Sequence, residues 1–362
     1  MKKRITGIFL MIPMVVAIST VLAAEGTLLF NIEGYQKLAV QNSKQAAIDE
    51  LDIKAKESAL KEVQEDAQFT VSLGTTKDMY NGAITREVAT LQAETDLEYA
   101  RMARKNNEEK TRLDIYKASL NVLLLQKNLD MQTSLQKMLE EKLQMAEARH
   151  KEGKITDNEL DDSRNTLDIK KIEIEKAGKE LEAANLELKR LLNVKMDDTP
   201  IQVDDKLILA KEEVVVLNEV IEKSMEKNLD LYKKSQDLKA KEKTMEITGE
   251  YYQEGDFTYD DNKTSLEIAR AEADDARIKL EVDIRNQYNN LLTGKDNVEL
   301  AQKWEVICQK KLDSAKLKFE KGLISREELL SSEEKCLDAQ YKTFAAIKEY
   351  NLLKADFDSL YK

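Results

Sequence analysis

The chain has little of what most catalytic centres are built from. Among its 362 residues it holds one histidine, two cysteines, two prolines and one tryptophan, and aromatic residues make up 6%. A single histidine, His150, excludes sites made of several histidines. Of the prolines, Pro13 falls in an apolar N-terminal segment, so Pro200 alone is left to interrupt helices further on. After that segment no stretch has the roughly 20 uncharged apolar residues of a membrane-spanning helix. Basic charge is also short: the net charge is −12, which disfavours nucleic acid as a partner, because a phosphate backbone calls for a basic face. Few aromatics together with 35% charged residues describe long solvated helices rather than a thick globular core. Gly153-Lys154-Ile155-Thr156 is superficially like a phosphate loop, but Ala148 stands where that pattern needs its first glycine and no strand precedes it. Neither a catalytic constellation nor a cofactor or metal site emerges, so no enzyme is expected.

What is present is a stretch that occurs twice. Arg149-His150-Lys151-Glu152-Gly153-Lys154-Ile155-Thr156-Asp157-Asn158-Glu159-Leu160 and Lys318-Phe319-Glu320-Lys321-Gly322-Leu323-Ile324-Ser325-Arg326-Glu327-Glu328-Leu329 lie 169 residues apart. Each spells a tight helix–turn–helix. Gly153 and Gly322 suit the left-handed conformation that ends a helix. Thr156 and Ser325 are natural N-caps, and Glu159 and Glu328, three residues on, complete capping boxes. The register extends beyond the turn. Leu160, Leu167, Ile174, Leu181 and Leu188 recur every seven residues, with Ser163, Lys170, Ala177, Ala184 and Leu191 between them. In the second copy the series are Leu329, Cys336, Thr343, Tyr350, Phe357 and Ser332, Ala339, Ala346, Leu353, Leu360. These are heptad seams rich in small residues.

Read in order, the chain opens with Lys2, Lys3 and Arg4, an apolar run and Val21-Leu22-Ala23-Ala24, the pattern of a signal peptide over residues 1–24. The mature protein is therefore expected outside the cytoplasm. A first repeat, residues 25–200, follows: a helix from about Asn31 to Asp66, a strand-like patch over 67–83, a helix from about Ile84 to Glu152, the Gly153 turn, a helix to Asn193, and a connector through Pro200 with strand-like alternation up to Leu209. A helix of that length spans roughly 100 Å. A second repeat, residues 201–362, replays the order: a helix over about 212–249, a non-helical patch over 250–262, a long helix from about Lys263 to Glu320 with Gly294 as a candidate kink, the Gly322 turn, and a last helix to about Leu360. In each half two shorter helices, stacked end to end, match one long one. The expected fold class is all-α dominated: long antiparallel coiled-coil helices in two tandem repeats, with short or vestigial β segments.

In these stretches the chain resembles the TolC-like outer-membrane efflux family. Glu147 to Thr156 and Leu317 to Ser325 are similar to the family's turn. Leu188-Lys189-Arg190-Leu191-Leu192-Asn193-Val194, running on to Pro200, is similar to its inter-repeat connector, and Val40-Gln41-Asn42-Ser43 and Glu226-Lys227-Asn228-Leu229-Asp230 are similar to its repeat starts. The resemblance covers about residues 30–362. It implies a homotrimer that closes an α-barrel tube, an exit duct for small molecules or proteins, engaged by a periplasmic adaptor and an inner-membrane pump at the cell outer membrane or envelope. It also implies that the Gly turns form the inner tip, where acids six and nine residues after each Gly line the entrance. Glu159, Asp162 and Glu328 fit those positions; Ser331 departs at the fourth. The family carries two membrane strands per half, and a strand needs about 9 to 11 residues. The patches at 67–83 and 250–262 are shorter than such a hairpin, which points to a reduced barrel. The alternative function is an extracytoplasmic coiled-coil spacer or scaffold without a conduit. Cys308 and Cys336 each stand 14 residues from Gly322, so antiparallel helices bring them to one height, as two buried thiols or as a disulfide across the hairpin.

Overall fold

The computed structural model describes residues 28–69, 74–197 and 199–362. The expected signal peptide lies outside the described residues. Two helices dominate: α4 (Thr90–Lys151, 62 residues) and α8 (Phe257–Glu320, 64 residues), each on the order of 95 Å long. Each is half of a hairpin. α4 turns at Gly153 into α5 (Asp157–Leu191), and α8 turns at Gly322 into α9 (Arg326–Ser359). The other half of each long helix is covered by shorter pieces. α1 (Ile32–Gln41) and α2 (Lys44–Phe69) run along α4, while α6 (Leu217–Lys227) and α7 (Leu229–Tyr251) run along α8. End-to-end stacking of short helices beside a long one is the arrangement read from the lengths.

The short helices break where the sequence reading ran them through. The expected helix 31–66 is two, parted at Asn42-Ser43, where the Asn42 amide donates to the Leu192 carbonyl at 3.1 Å. The expected helix 212–249 starts five residues later and parts at Asn228, whose side chain accepts the Leu231 N–H at 2.9 Å. An N-cap side chain offers the backbone a partner that helix continuation would not need.

The heptad seams hold. None of their residues is exposed, and Leu160, Leu167, Leu188, Leu329, Cys336, Thr343, Tyr350 and Phe357 are buried. The largest core lies at mid-length, where hairpin ends, connector and N-terminal segment meet around Tyr35, Ile115, Leu188, Ile284 and Phe357. Here β1 (Leu28–Phe30) pairs in parallel with β2 (Ile201–Val203). The strand-like alternation to Leu209 yields only these three paired residues. The rest of the connector is held by side chains: buried Asn351 donates to the Ile208 carbonyl at 2.7 Å and accepts the Ala210 N–H at 2.9 Å. The Tyr35 hydroxyl lies 2.8 Å from the carbonyls of both Leu28 and Gln202, and burial pushes its pKa up to about 12.

The far end corrects the sequence reading. Gln68 and Phe69 end α2, and residues 70–73 lie outside the described residues. Asn81-Gly82, read as a turn, lies inside helix α3 (Thr76–Ala83), which passes through a π-helical stretch, Ile84–Ala89, into α4. Packing overrides the turn signal: Gly82 is buried, and Ala83 and Val88 pack with Ala240 and Ile247 of α7. The second patch shrinks to Tyr252–Asp256, because Gly255 at φ 95° lets α8 begin at Phe257. The two patches meet: Tyr80 packs edge-on against Tyr251 and Tyr252, and Asn262 donates to the Tyr80 hydroxyl at 3.0 Å. Gly294 does not break α8. It is a point of close approach, where an added Cβ would stand 2.7 Å from Leu353 Cδ1 on α9.

Candidate functional site: the two tip turns

Both hairpin turns are built alike, down to single hydrogen bonds. Gly153 has φ 71° and Gly322 φ 70°. Behind each glycine the Schellman pair closes: Gly153 N–H to His150 O at 2.8 Å and Lys154 N–H to Arg149 O at 2.9 Å, against Gly322 N–H to Phe319 O and Leu323 N–H to Lys318 O, both at 2.8 Å. Ahead of each glycine the expected capping box forms. Glu159 Oε2 accepts the Thr156 N–H at 2.8 Å, and the Thr156 hydroxyl accepts the Glu159 N–H at 3.3 Å. Glu328 and Ser325 exchange the same bonds at 2.8 and 3.2 Å. The Thr156 N–H and hydroxyl hold the Glu159 carboxyl below the usual carboxylate range. Glu159 and Glu328 thus each commit one carboxylate oxygen to a cap. Exposed Asp162, one turn beyond Glu159, has no part in the capping box.

Side chains beside the turns differ. In the first hairpin His150 Nε2 stands 2.6 Å from Asp157 Oδ1. The positions 169 residues on are Phe319 and Arg326, and there the guanidinium sits 6.0 Å from the ring centroid. One geometric slot, bridging the last turn of one helix and the first of the next, is filled by a hydrogen bond in one copy and by a cation–π contact in the other. Sequence reading set the two stretches side by side but missed that Asp157 and Arg326 meet the His150 and Phe319 positions. The signal was their matching offset.

Cys308 and Cys336 are free thiols, both buried, and Cys336 packs with Leu312, Ala315 and Leu329. Cys336 Sγ donates to Gln309 Oε1 at 3.3 Å. Burial, then the nearby Cys308, pushes the Cys336 thiol up.

The hairpins lie side by side, in the order α5–α4–α9–α8. The central seam, α4 against α9, is polar near the tip. Arg326 Nε and Nη2 reach Glu141 Oε1 and Oε2 at 2.6 and 2.8 Å, while Arg149 pairs with Glu327 at 2.9 Å and Lys142 with Glu334 at 3.1 Å. A planar guanidinium on both oxygens of one carboxylate fixes orientation as well as charge.

Duplicated hairpins of this length, turning on paired Schellman glycines, define a class: the fold is that of the TolC-like outer-membrane channels. A membrane protein from Pseudomonas aeruginosa is 13% identical over 94% of each chain with a TM-score of 0.66. CusC, described through its transmembrane channel formation, is 12% identical over 94% of this chain and 95% of its own, also at 0.66. The CmeC outer membrane channel of Campylobacter jejuni is 10% identical over 91% and 85%, again at 0.66. No family model matches the chain, and no curated protein matches it by sequence.

Proposed function

We propose that the protein is the exit duct of a multipartite export system, a passive homotrimeric conduit in the cell envelope, engaged by an adaptor and a pump at its Gly-turn tip. The observation that carries this reading is the coverage of the fold: the likeness to the CmeC outer membrane channel runs over 91% of the chain, both hairpins included. Channel neighbours and the absence of a catalytic constellation in the sequence together support a role without catalysis. One chain supplies four rows of helix, too few to surround a wide lumen, so closure needs copies. At the far end the patches that would carry membrane hairpins are shorter than a hairpin of two strands of about 9 to 11 residues each. A complete barrel is therefore not part of the proposal, and the purified protein is expected to form no steady pores in planar bilayers.

Three copies around one axis would gather Glu159, Asp162 and Glu328 at the entrance. Such a ring attracts cations, as acidic rings do in channels. Replacing Asp162 by Asn and both glutamates by Gln keeps hydrogen-bonding capacity and removes the charge. Under this reading the triple variant loses divalent-cation block of export; unchanged block with assembly intact leaves these acids as caps alone. The duct itself is tested by particle images of the purified protein. Closed three-copy tubes with a continuous lumen are expected, and an open rod or filament would establish the spacer reading instead.

A further inference from the structure

The row between α4 and α8 is made of two pieces, α9 in the hairpin half and α7 in the far half. At their joint lies a cavity of about 880 Å³. The end of α9, the α6–α7 break and one face of α4, from Met102 to Tyr116, line it. The other short-helix row has a comparable joint, where α5 ends beside the α1–α2 break. There the Asn42 amide spans the joint and donates to the Leu192 carbonyl at 3.1 Å. Asn228, at the matching repeat start, instead turns its side-chain oxygen to the Leu231 N–H at 2.9 Å. It caps α7 and leaves its own joint open.

Two polar groups in this wall lack a partner. Ser224 is 2% exposed, and its hydroxyl has no hydrogen-bond partner. Lys227, one turn on in the same helix α6, is half-buried and pairs with no acid among the described residues. A buried polar group without a partner loses free energy that a bound ligand can restore. The other charges of the wall are satisfied or exposed. Asp358 is held by Lys354 at 2.6 Å and by Lys362 at 3.0 Å, and Arg112 pairs with Glu108 at 2.8 Å. Glu109, Glu226 and Asp230 are exposed, as are Lys105 and Lys110. The unpaired charge that is drawn into the wall is therefore positive. Most of the remaining wall is apolar, with Leu113, Leu229, Leu280, Leu360 and the Tyr116 ring. A cavity of this size, largely apolar with a few convergent polar groups, is the usual build of a small-molecule site.

We propose that this cavity binds an amphipathic anion, a carboxylate on an apolar body. The carboxylate takes Lys227 and Ser224, which stand on one face of α6, and the body lies against the leucines and Tyr116. A ligand there fills the joint that Asn42 spans in the other row. The chain as a whole carries a net charge of −12, which opposes general adsorption of anions. Affinity for an anion must then come from local groups, and this makes the proposal sharp. The site lies away from the tip turns and does not rest on the duct reading.

Calorimetric titration of the full chain tests it with three probes that share one apolar chain: decanoate, decanol and decyltrimethylammonium, each below its micelle concentration. Decanoate should saturate at one molecule per chain and bind more tightly than the neutral or the cationic probe. Lys227→Met should weaken decanoate by about tenfold or more, and Ser224→Ala by a smaller factor. Leu113→Trp, which fills the cavity from α4, should abolish binding while the thermal midpoint is kept. Lys223→Met, at an exposed position of the same helix, should change nothing. The Lys227→Met result stands whether or not the tryptophan is accommodated. Decanoate that does not saturate, or that binds Lys227→Met as tightly as the parent, overturns the site. Equal or tighter binding of decanol or decyltrimethylammonium overturns the anion assignment. Either failure leaves the duct reading as it stands, because the titration counts ligand per chain and not copies per assembly.

Discussion

The two hairpins have one backbone and two surroundings. Their turn glycines agree within a degree of φ, and the turns share the same capping bonds. Yet α9 lies between α8 and α4, whereas α5 packs mainly on α4, with β2 as a smaller contact. The residues follow that difference. The leading heptad positions of α9 are buried throughout, while Ile174 and Leu181 of α5 stay half-buried. Arg326 enters an ion-pair network across the seam, while Asp157 has a side chain 90% exposed, touched by His150 from within its own hairpin. A duplicated segment thus keeps the residues that make its turn and changes those that meet its neighbours. Turn-making residues satisfy local backbone groups, which are the same in both copies; neighbour-meeting residues answer to a partner that is not.

The sharpest way to break this comparison is to exchange Leu330 and Asp161. Leu330 is fully buried on the seam side of α9, and its counterpart is exposed on α5. Leu330→Asp places a carboxylate in an apolar site and is expected to cost about 3 to 5 kcal/mol in urea unfolding. Asp161→Leu in the isolated chain should fall within about 0.5 kcal/mol of the parent. Equal costs would mean that the two rows are not differently covered.

That contrast also marks what the sequence made legible. Both turns, both capping boxes and the heptad seams follow from local rules and were readable residue by residue. The helix breaks at Asn42 and Asn228 were not, because each depends on a side-chain bond that periodicity does not register. Asn81-Gly82 misled for the opposite reason: a strong turn signal yields to burial of Gly82 and Ala83 against α7. At the tip, Glu159 and Glu328 were legible as caps. The Arg326–Glu141 pair was not, since nothing local tells which face of a repeat meets the other repeat.

A smaller effect sharpens the equivalence of the backbones. An added Cβ at Gly153 or Gly322 meets nothing within 4 Å. Only the left-handed φ is then penalised, so Gly153→Ala and Gly322→Ala should each cost about 1 to 2 kcal/mol. Their equality is the informative result. A clearly larger loss at Gly322 would show that the central seam transmits strain from its turn.

The smallest effect concerns the cap of the first hairpin and appears only with pH. The Thr156 N–H and hydroxyl lower the Glu159 pKa from its ordinary 4.5. A carboxyl whose folded pKa is depressed adds stability that is complete above its ordinary pKa and fades as pH falls through the folded value. Glu159→Gln removes the titrating group but keeps an oxygen that accepts the Thr156 N–H. The gap in thermal midpoint between parent and variant should therefore be constant from about pH 7 to pH 5 and narrow below about pH 4. Asp157, bonded to His150 rather than to a cap, gives the control: Asp157→Asn should leave the narrowing attributable to Glu159 in place. A gap that does not change down to about pH 3 would show that the carboxylate caps the helix no better than an amide. The acid at this position would then need another reason to be charged, and the proposed entrance ring of Glu159, Asp162 and Glu328 supplies one.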